Sequence, residues 1–317
     1  MKGRYTMILI IGGNSSGKSA YAERLACKLQ PGEIMFVATM YPYSASNQRR
    51  IEERQKRRSG KGFATIECFT DLKSLLPCEG KTVLLERITN LVTNEMYMEG
   101  GASVQAVGRI LSDVETLKKQ CENLIVVTDD VFNDGVEYDY ETERFVHYLG
   151  EINMGLAQMA DTVIEVTCGY PVLHKGELPQ LEEEDDQTTG EGKMELYIGG
   201  KSQSKLTYVQ HKKGMLPVAD GRYCRTEDAF NEPVVNHIHL LIMRIMREEG
   251  DVMGYVHEIL QRNPNVILIG DEVGSGVVPM DPFEKKYREA VGKAYCEIAK
   301  YADTVERIFC GLGQRIK

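Results

Sequence analysis

Met7-Ile8-Leu9-Ile10-Ile11-Gly12-Gly13-Asn14-Ser15-Ser16-Gly17-Lys18-Ser19 joins an apolar run, a glycine-rich turn and a lysine-serine pair without a break. The apolar run reads as a buried strand. Tyr21, Ala22, Leu25, Ala26 and Leu29 then repeat at helical spacing. Between them lies Gly-x4-Gly-Lys-Ser, the phosphate-binding loop pattern, in the strand-to-helix setting that its chemistry requires. Gly12, Gly13, Asn14, Ser15, Ser16 and Gly17 let backbone N–H groups converge on phosphate oxygens, helped by the dipole of the following helix. Lys18 is placed to reach the β- and γ-phosphates, and the Ser19 hydroxyl to coordinate Mg²⁺. ATP or GTP is the expected ligand.

Working outward, short apolar runs alternate with amphipathic stretches. Ile34 to Ala38, Thr82 to Leu85, Leu124 to Val127 and Thr162 to Val166 suit buried parallel strands. Val104, Val107, Ile110, Leu111, Val114 and Leu117 mark one helix, and Phe145, Leu149, Ile152, Leu156 and Met159 another. The alternation predicts an α/β fold of the P-loop NTPase kind, a mainly parallel sheet with helices on both faces.

The chain then repeats itself. At a constant offset of 142, Asp129, Val131, Asp139, Gly150 and Ala157 match Asp271, Val273, Asp281, Gly292 and Ala299. Ala160 to Val163 matches Ala302 to Val305, Cys168-Gly169 matches Cys310-Gly311, and Lys175 matches Lys317. Ile11-Gly12-Gly13 matches Ile198-Gly199-Gly200 at an offset of 187, so the second copy lacks 45 residues. A tandem duplication explains this. Leu196 to Ile198, Val266 to Ile269 and Thr304 to Phe309 are its expected strands. Ile238, Leu241, Ile242, Ile245 and Met246 mark one of its helices, and the run from Phe283 to Ala302 another. Between the copies, Glu182 to Asp186 are five adjacent acids followed by Gln-Thr-Thr-Gly-Glu-Gly, a composition that cannot join a core. The expected division is a nucleotide-binding domain at 1–176, an acidic linker at 177–193 and a trimmed second copy at 194–317.

The second copy's loop is altered. Gly199-Gly200-Lys201-Ser202-Gln203-Ser204-Lys205-Leu206 keeps the lysine, but Ser204 replaces the second glycine and Leu206 the metal-binding serine. Leucine cannot ligate Mg²⁺.

Bulk properties narrow the partners. The chain has 317 residues, 42% hydrophobic and 27% charged, with a formal charge of -9. That charge disfavours nucleic acid and anionic membranes. No stretch reaches the roughly 20 apolar residues needed to span a bilayer, so a cytoplasmic location is expected. The eight cysteines include no Cys-x-x-Cys pair and read as small buried hydrophobes.

Several stretches together resemble the adenosylcobinamide kinase/adenosylcobinamide-phosphate guanylyltransferase family. They are Gly12 to Glu23, Phe36 to Thr39, Arg50-Ile51 with Arg58, Phe63 to Glu67, Leu84 to Asn94, Asp271 to Pro279 and Cys310 to Lys317. The loop is generic; the Glu272-Val273-Gly274 segment with the terminal Gly313-to-Lys317 run is more specific. The resemblance implies phosphorylation of the aminopropanol hydroxyl of a corrinoid, adenosylcobinamide, followed by GMP transfer through a guanylylated histidine. It also implies self-association, with active sites where subunits meet. Glu86 occupies the acidic position after the second core strand, beside Mg²⁺ or the attacking hydroxyl, or is merely an acidic strand end. Glu272 is the candidate catalytic residue of the second copy.

The sequence departs from that family at the histidine, whose place is taken by Arg54. Arginine stays protonated and forms no phosphoramidate. His147, His211 and His257 are the remaining candidates for a substitute nucleophile. Asp129-Asp130-Val131-Phe132 is a degraded version of Glu-Val-Gly, so the losses in the two copies are complementary and one composite site is expected. The basic run Arg49-Arg50, Arg54, Lys56-Arg57-Arg58, Lys61 is either a phosphate clamp or a solvated helix face. His237 and His239, two apart, are expected to point to different sides of a helix. Three function classes stay open: a corrinoid kinase, a phosphate-loop kinase or nucleotidyltransferase for another small molecule, and a nucleotide-binding regulatory protein without turnover.

Overall fold

The structure, a computed structural model, describes residues 7–29, 33–43, 48, 51–52, 55–56, 58–181 and 193–317. The acidic run 182–186, Arg54 and most of the basic run lie outside the described residues.

The first copy is one sheet in the order β3-β2-β4-β5-β1-β6-β7. Its strands are β1 (Met7–Ile11), β2 (Ile34–Ala38), β3 (Phe63–Glu67), β4 (Thr82–Glu86), β5 (Asn123–Val127), β6 (Thr162–Thr167) and β7 (Tyr170–Lys175). All pairings are parallel except the β6–β7 hairpin. Helices α1 (Lys18–Leu29), α2 (Ile88–Tyr97), α3 (Ala106–Gln120) and α4 (Tyr140–Met159) connect them. One face packs Met7, Leu9, Leu85 and Val126 against α2 to α4, and the other packs Ile8, Ile10 and Leu84 under α1.

The second copy repeats this plan in the order β13-β12-β8-β11-β10-β9. Its strands are β8 (Glu195–Ile198), β9 (Val218–Asp220), β10 (Val234–Asn236), β11 (Ile267–Ile269), β12 (Thr304–Phe309) and β13 (Leu312–Arg315). Its helices are α5 (Lys205–Lys213), α6 (Ile238–Arg247), α7 (Val252–Arg262) and α8 (Pro282–Tyr301). Strand for strand the two sheets correspond, and among the described residues only β3 has no counterpart. Most of the missing residues fall there: strand pairing aligns Ala38 with Glu86 in the first copy, and Asp220 with Asn236 in the second, across a much shorter connection.

The residues that match between the copies do the same structural work. Asp139 caps α4 by accepting from the N–H groups of Glu141 and Thr142, and Asp281 caps α8 by accepting from Glu284. Cys168-Gly169 and Cys310-Gly311 take positive φ at both turn positions (52° and 87°; 49° and 77°), as two-residue hairpin turns with right-handed strand twist require. Lys175 Nζ donates to the carbonyls of Ala157, Gln158 and Ala160 at the end of α4. Lys317 does the same for Ala299 and Lys300 at the end of α8. A lysine there satisfies carbonyls that a helix leaves open and opposes its dipole.

One layer has drifted. Where the first copy buries Ile8, Ile10, Leu25 and Ile164 beneath α1, the second places Glu195, Tyr197, Lys212 and Glu306. These belong to two polar clusters. Tyr197 donates to Glu195 at 2.5 Å, Tyr208 to Glu306 at 2.8 Å, and Lys212 and Lys213 pair with Glu306 and Glu195.

The copies meet along an approximate two-fold axis. Phe132 and Gly276 form an antiparallel bridge, and Asn133 N–H donates to the Ser275 carbonyl at 2.9 Å. Asn133 and Ser275 are counterparts at the offset of 142, so this contact is isologous, the arrangement of a symmetric dimer made within one chain.

Candidate active site

The phosphate loop leaves the end of β1 and enters α1. Gly17 takes φ +91°, and a Cβ there would stand 2.7 Å from Gly169 Cα. A Cβ on Gly12 would stand 2.7 Å from the Val166 carbonyl. Both positions therefore need glycine for space as well as for phosphate approach.

Lys18 is 3% exposed. Its Nζ donates to the Gly13 carbonyl at 2.9 Å and pairs with Asp129 at 2.8 Å. Asp129 follows β5, the strand beside β1, which explains the meeting. Arg87 at 3.3 Å and the Thr89 hydroxyl at 2.5 Å complete its shell. Burial works against ionising Asp129, but Arg87 and Lys18 hold its carboxyl well below the ordinary range. Burial lowers the Lys18 pKa, against the pull of Asp129. Next to this lock, Ser19 Oγ donates to Glu86 Oε1 at 2.5 Å. A hydroxyl and a carboxylate in contact at the start of α1 are the hard oxygen donors that Mg²⁺ takes alongside phosphates, so these residues fit that ion.

The second copy reaches into the loop. Asn14 N–H donates to the Gly274 carbonyl at 2.9 Å, and Cys296 Sγ lies 3.5 Å from the Ser15 carbonyl. A Cβ on Gly292 would meet Ser15 Cβ at 2.7 Å. Beside Asn14 opens a cavity of about 240 Å³. Arg87, Thr89, Asn90, Thr93, Asp129 and Phe145 of the first copy face Gly274, Gly276, Val277 and Val278 of the second across it. The far wall is held by residues of both copies. Tyr138 accepts from Val277 N–H at 3.2 Å while donating to Asp134, and Arg288 stands 3.8 Å from Asp134.

Glu272 does not line that cavity. It lines a narrower cleft with Gly13, Asn14 and Ser16. There Arg307 Nε donates to it at 2.9 Å and Arg307 also pairs with Glu165 at 2.6 Å. Burial pushes the Glu272 carboxyl up, and Arg307 opposes the shift.

The second copy's own loop keeps the backbone but loses the metal pair. Ser202 and Ser204 hold φ +61° and +60°, repeating the positive φ of Ser15 and Gly17. Lys205 donates to the Gly200 carbonyl at 2.6 Å and pairs with Asp271 at 2.6 Å, the counterpart of the Lys18–Asp129 lock. In place of Ser19 and Glu86 stand Leu206 and, by strand pairing, Asn236. His237 and His239 take the places of Arg87 and Thr89; His239 stands 3.5 Å from Asp271, while His237 pairs with Asp220 at 3.1 Å. Contrary to the helical-spacing expectation, the two histidine rings lie close, with centroids 5.8 Å apart. His237 precedes α6 in a left-handed conformation, so helical spacing does not apply to it. His239 Nδ1 accepts from Asp271 N–H at 3.1 Å, and burial pushes its pKa down to about 4.

None of the three substitute histidines lines the cavity. His147 pairs with Glu151 and His257 with Glu297 on helix surfaces. Of the basic run, Arg58 is buried over the Phe36 ring at 3.5 Å and pairs with Glu23 at 3.6 Å. Sequence reasoning missed Arg87 and Thr89, and treated Asp129 only as a repeat match. That match was the usable signal, because both copies retain the aspartate that locks the lysine.

A strand, phosphate loop and helix carrying a buried lysine and a serine–carboxylate pair, on a mainly parallel sheet, define a P-loop phosphotransferase. A family model described as cobinamide kinase / cobinamide phosphate guanyltransferase matches residues 8–173 and 227–316, in both copies. The chain belongs to that family. It is similar to the bifunctional adenosylcobalamin biosynthesis protein CobU of Salmonella typhimurium, 29% identical over 183 residues, 53% of this chain and 99% of the relative. The Escherichia coli CobU is 28% identical over the same shares. CobP of Pseudomonas aeruginosa, also named a bifunctional adenosylcobalamin biosynthesis protein, is 27% identical over 172 residues, 53% of this chain and 97% of its own. Among the described residues no helix is long and apolar enough to cross a membrane.

Proposed function

We propose that the chain transfers the γ-phosphoryl group of ATP or GTP to the aminopropanol hydroxyl of adenosylcobinamide, using the first copy's loop and a wall from the second. The observation that carries this reading is the Ser19–Glu86 pair beside Lys18, present in the first copy and replaced in the second. The loop backbone and Lys18 bind the triphosphate, Lys18 exchanging Asp129 for phosphate oxygens. Ser19 and Glu86 hold Mg²⁺, which offsets phosphate charge when bound. The acceptor hydroxyl enters the cavity beside Asn14, where Arg87 faces the transferring group. Its oxygen bonds to phosphorus as the bond to the β–γ bridging oxygen breaks, and its proton leaves to water. Catalysis is chiefly positioning and charge, with little covalent work for side chains. Arg54 stands where the guanylylated histidine is expected, so GMP transfer by that route is absent. The domain division at 1–176, 177–193 and 194–317 belongs to the same proposal, as does a composite site involving Glu272.

The test is mass spectrometry of products after incubation with adenosylcobinamide, Mg²⁺ and ATP or GTP. One added phosphate without GMP is the expected result. Addition of GMP as well would mean that another residue carries the guanylyl group. No phosphorylated product, with nucleotide still bound, would overturn the kinase reading and favour another acceptor or a regulatory role.

A further inference from the structure

The cavity beside the phosphate loop is too small for the whole acceptor. Pockets that enclose drug-sized ligands run roughly 300–1,000 Å³, and about 240 Å³ is available here. A corrin macrocycle is larger than any such ligand, so a corrinoid can insert only its hydroxyl-bearing tail.

The segments that form the cavity wall continue outward into exposed apolar side chains. On α2, Thr89 and Thr93 line the cavity, and Tyr97, one turn further along the same face, is 50% exposed. On α4, Phe145 lines the cavity, and Tyr140 at the helix start is 77% exposed. Tyr97 reaches this helix start, donating to Glu141, the neighbour of Tyr140, at 3.2 Å. Across from them Val277 and Val278 form the wall, Val278 is itself 45% exposed, and Met280 beyond it is wholly exposed. Single exposed apolar residues are ordinary. Here exposed apolar residues from both copies lie on the same segments that line one cavity, where a large acceptor has apolar surface to meet.

We propose that this rim seats the macrocycle of the corrinoid outside the cavity while its aminopropanol tail enters. Tyr97, Tyr140, Val278 and Met280 cover the ring's methyl-bearing apolar surface. This rests on the reading of a corrinoid acceptor and adds where the bulk of that acceptor lies. It also gives the second copy a direct role in acceptor selection: its two rim residues contact the ring, although its own loop has lost the metal pair.

The experiment is equilibrium binding of aquocobinamide, followed by its visible absorption, to the full chain and to Val278→Asp and Met280→Asp. Met280 is wholly exposed, so Met280→Asp should keep the wild-type melting temperature and nucleotide affinity. The expected result is an increase in Kd of about tenfold in each. Met215→Asp, at an equally solvent-facing methionine after α5, should leave that Kd unchanged. Wild-type affinity in both rim variants would overturn the rim while leaving the kinase reading intact. Failure of the wild-type chain to bind aquocobinamide at all would overturn both.

Discussion

Glu165 and Arg307 occupy the same position in the two copies, 142 residues apart, and they pair with each other at 2.6 Å across the junction. Near a two-fold axis a residue faces its own counterpart. In an association of identical copies this position would set like charges against each other. Divergence to glutamate and arginine makes the contact favourable between unlike copies. Arg307 also holds Glu272, so one guanidinium ties β6, β12 and the Glu-Val-Gly segment together.

Removing that guanidinium leaves two carboxylates facing each other in a semi-buried cleft. Arg307→Met is expected to cost about 2 kcal/mol, less than the 3–5 kcal/mol of a fully buried pair because the group is partly solvated. Thermal unfolding measures this. Adding Glu165→Gln and Glu272→Gln should restore most of the loss, and no recovery would mean that the arginine acts by packing alone.

Glu272→Ala tests the composite site. The Glu272–Arg307 contact anchors the segment that ends in the cavity wall, so kcat/KM for the corrinoid should fall about tenfold. Unchanged nucleotide-dependent activity would separate the two copies functionally.

The metal pair is tested by Ser19→Ala and Glu86→Gln. Either should lower kcat by about 10²-fold and raise the Mg²⁺ concentration needed for half-maximal rate. A rate loss without any change in Mg²⁺ dependence would move Glu86 from metal binding to the attacking hydroxyl.

His239 gives the fold an acid sensitivity. Its folded pKa of about 4 lies below the ordinary 6.5, so the unfolded chain takes the proton first. Stability is therefore full above pH 6.5 and declines as pH falls toward 4. At pH 5 the loss is about 2 kcal/mol. His239→Gln, which can still accept from Asp271 N–H, should show a flatter decline in melting temperature between pH 7 and pH 5. An identical slope in both proteins would exclude this histidine as the cause.

Features carried by local spacing were legible in the sequence. Met7–Ile11 and Ile34–Ala38 form strands as expected, because buried parallel strands are continuous apolar runs, and Thr304–Phe309 does so although Glu306 and Arg307 interrupt its run. The edge strand β3 (Phe63–Glu67) was not read as a strand, being half exposed and lacking that run. The loop was legible because its residues are contiguous. Arg87, Thr89 and Asp129 were not, because they meet only when β4 and β5 pair side by side. The second copy's polar layer was hidden too: Glu195 and Glu306 sit at strand positions whose partners, Lys213 and Lys212, come from α5.

The most direct measurement is nucleotide stoichiometry by isothermal titration with a non-hydrolysable triphosphate and Mg²⁺, on the full chain and on Lys18→Met and Lys205→Met. Lys18 and Lys205 hold equivalent locks, but only Lys18 stands beside a serine–carboxylate pair. One nucleotide per chain is expected, lost in Lys18→Met and kept in Lys205→Met. Two nucleotides per chain, or a single site abolished by Lys205→Met, would contradict a lone working site in the first copy.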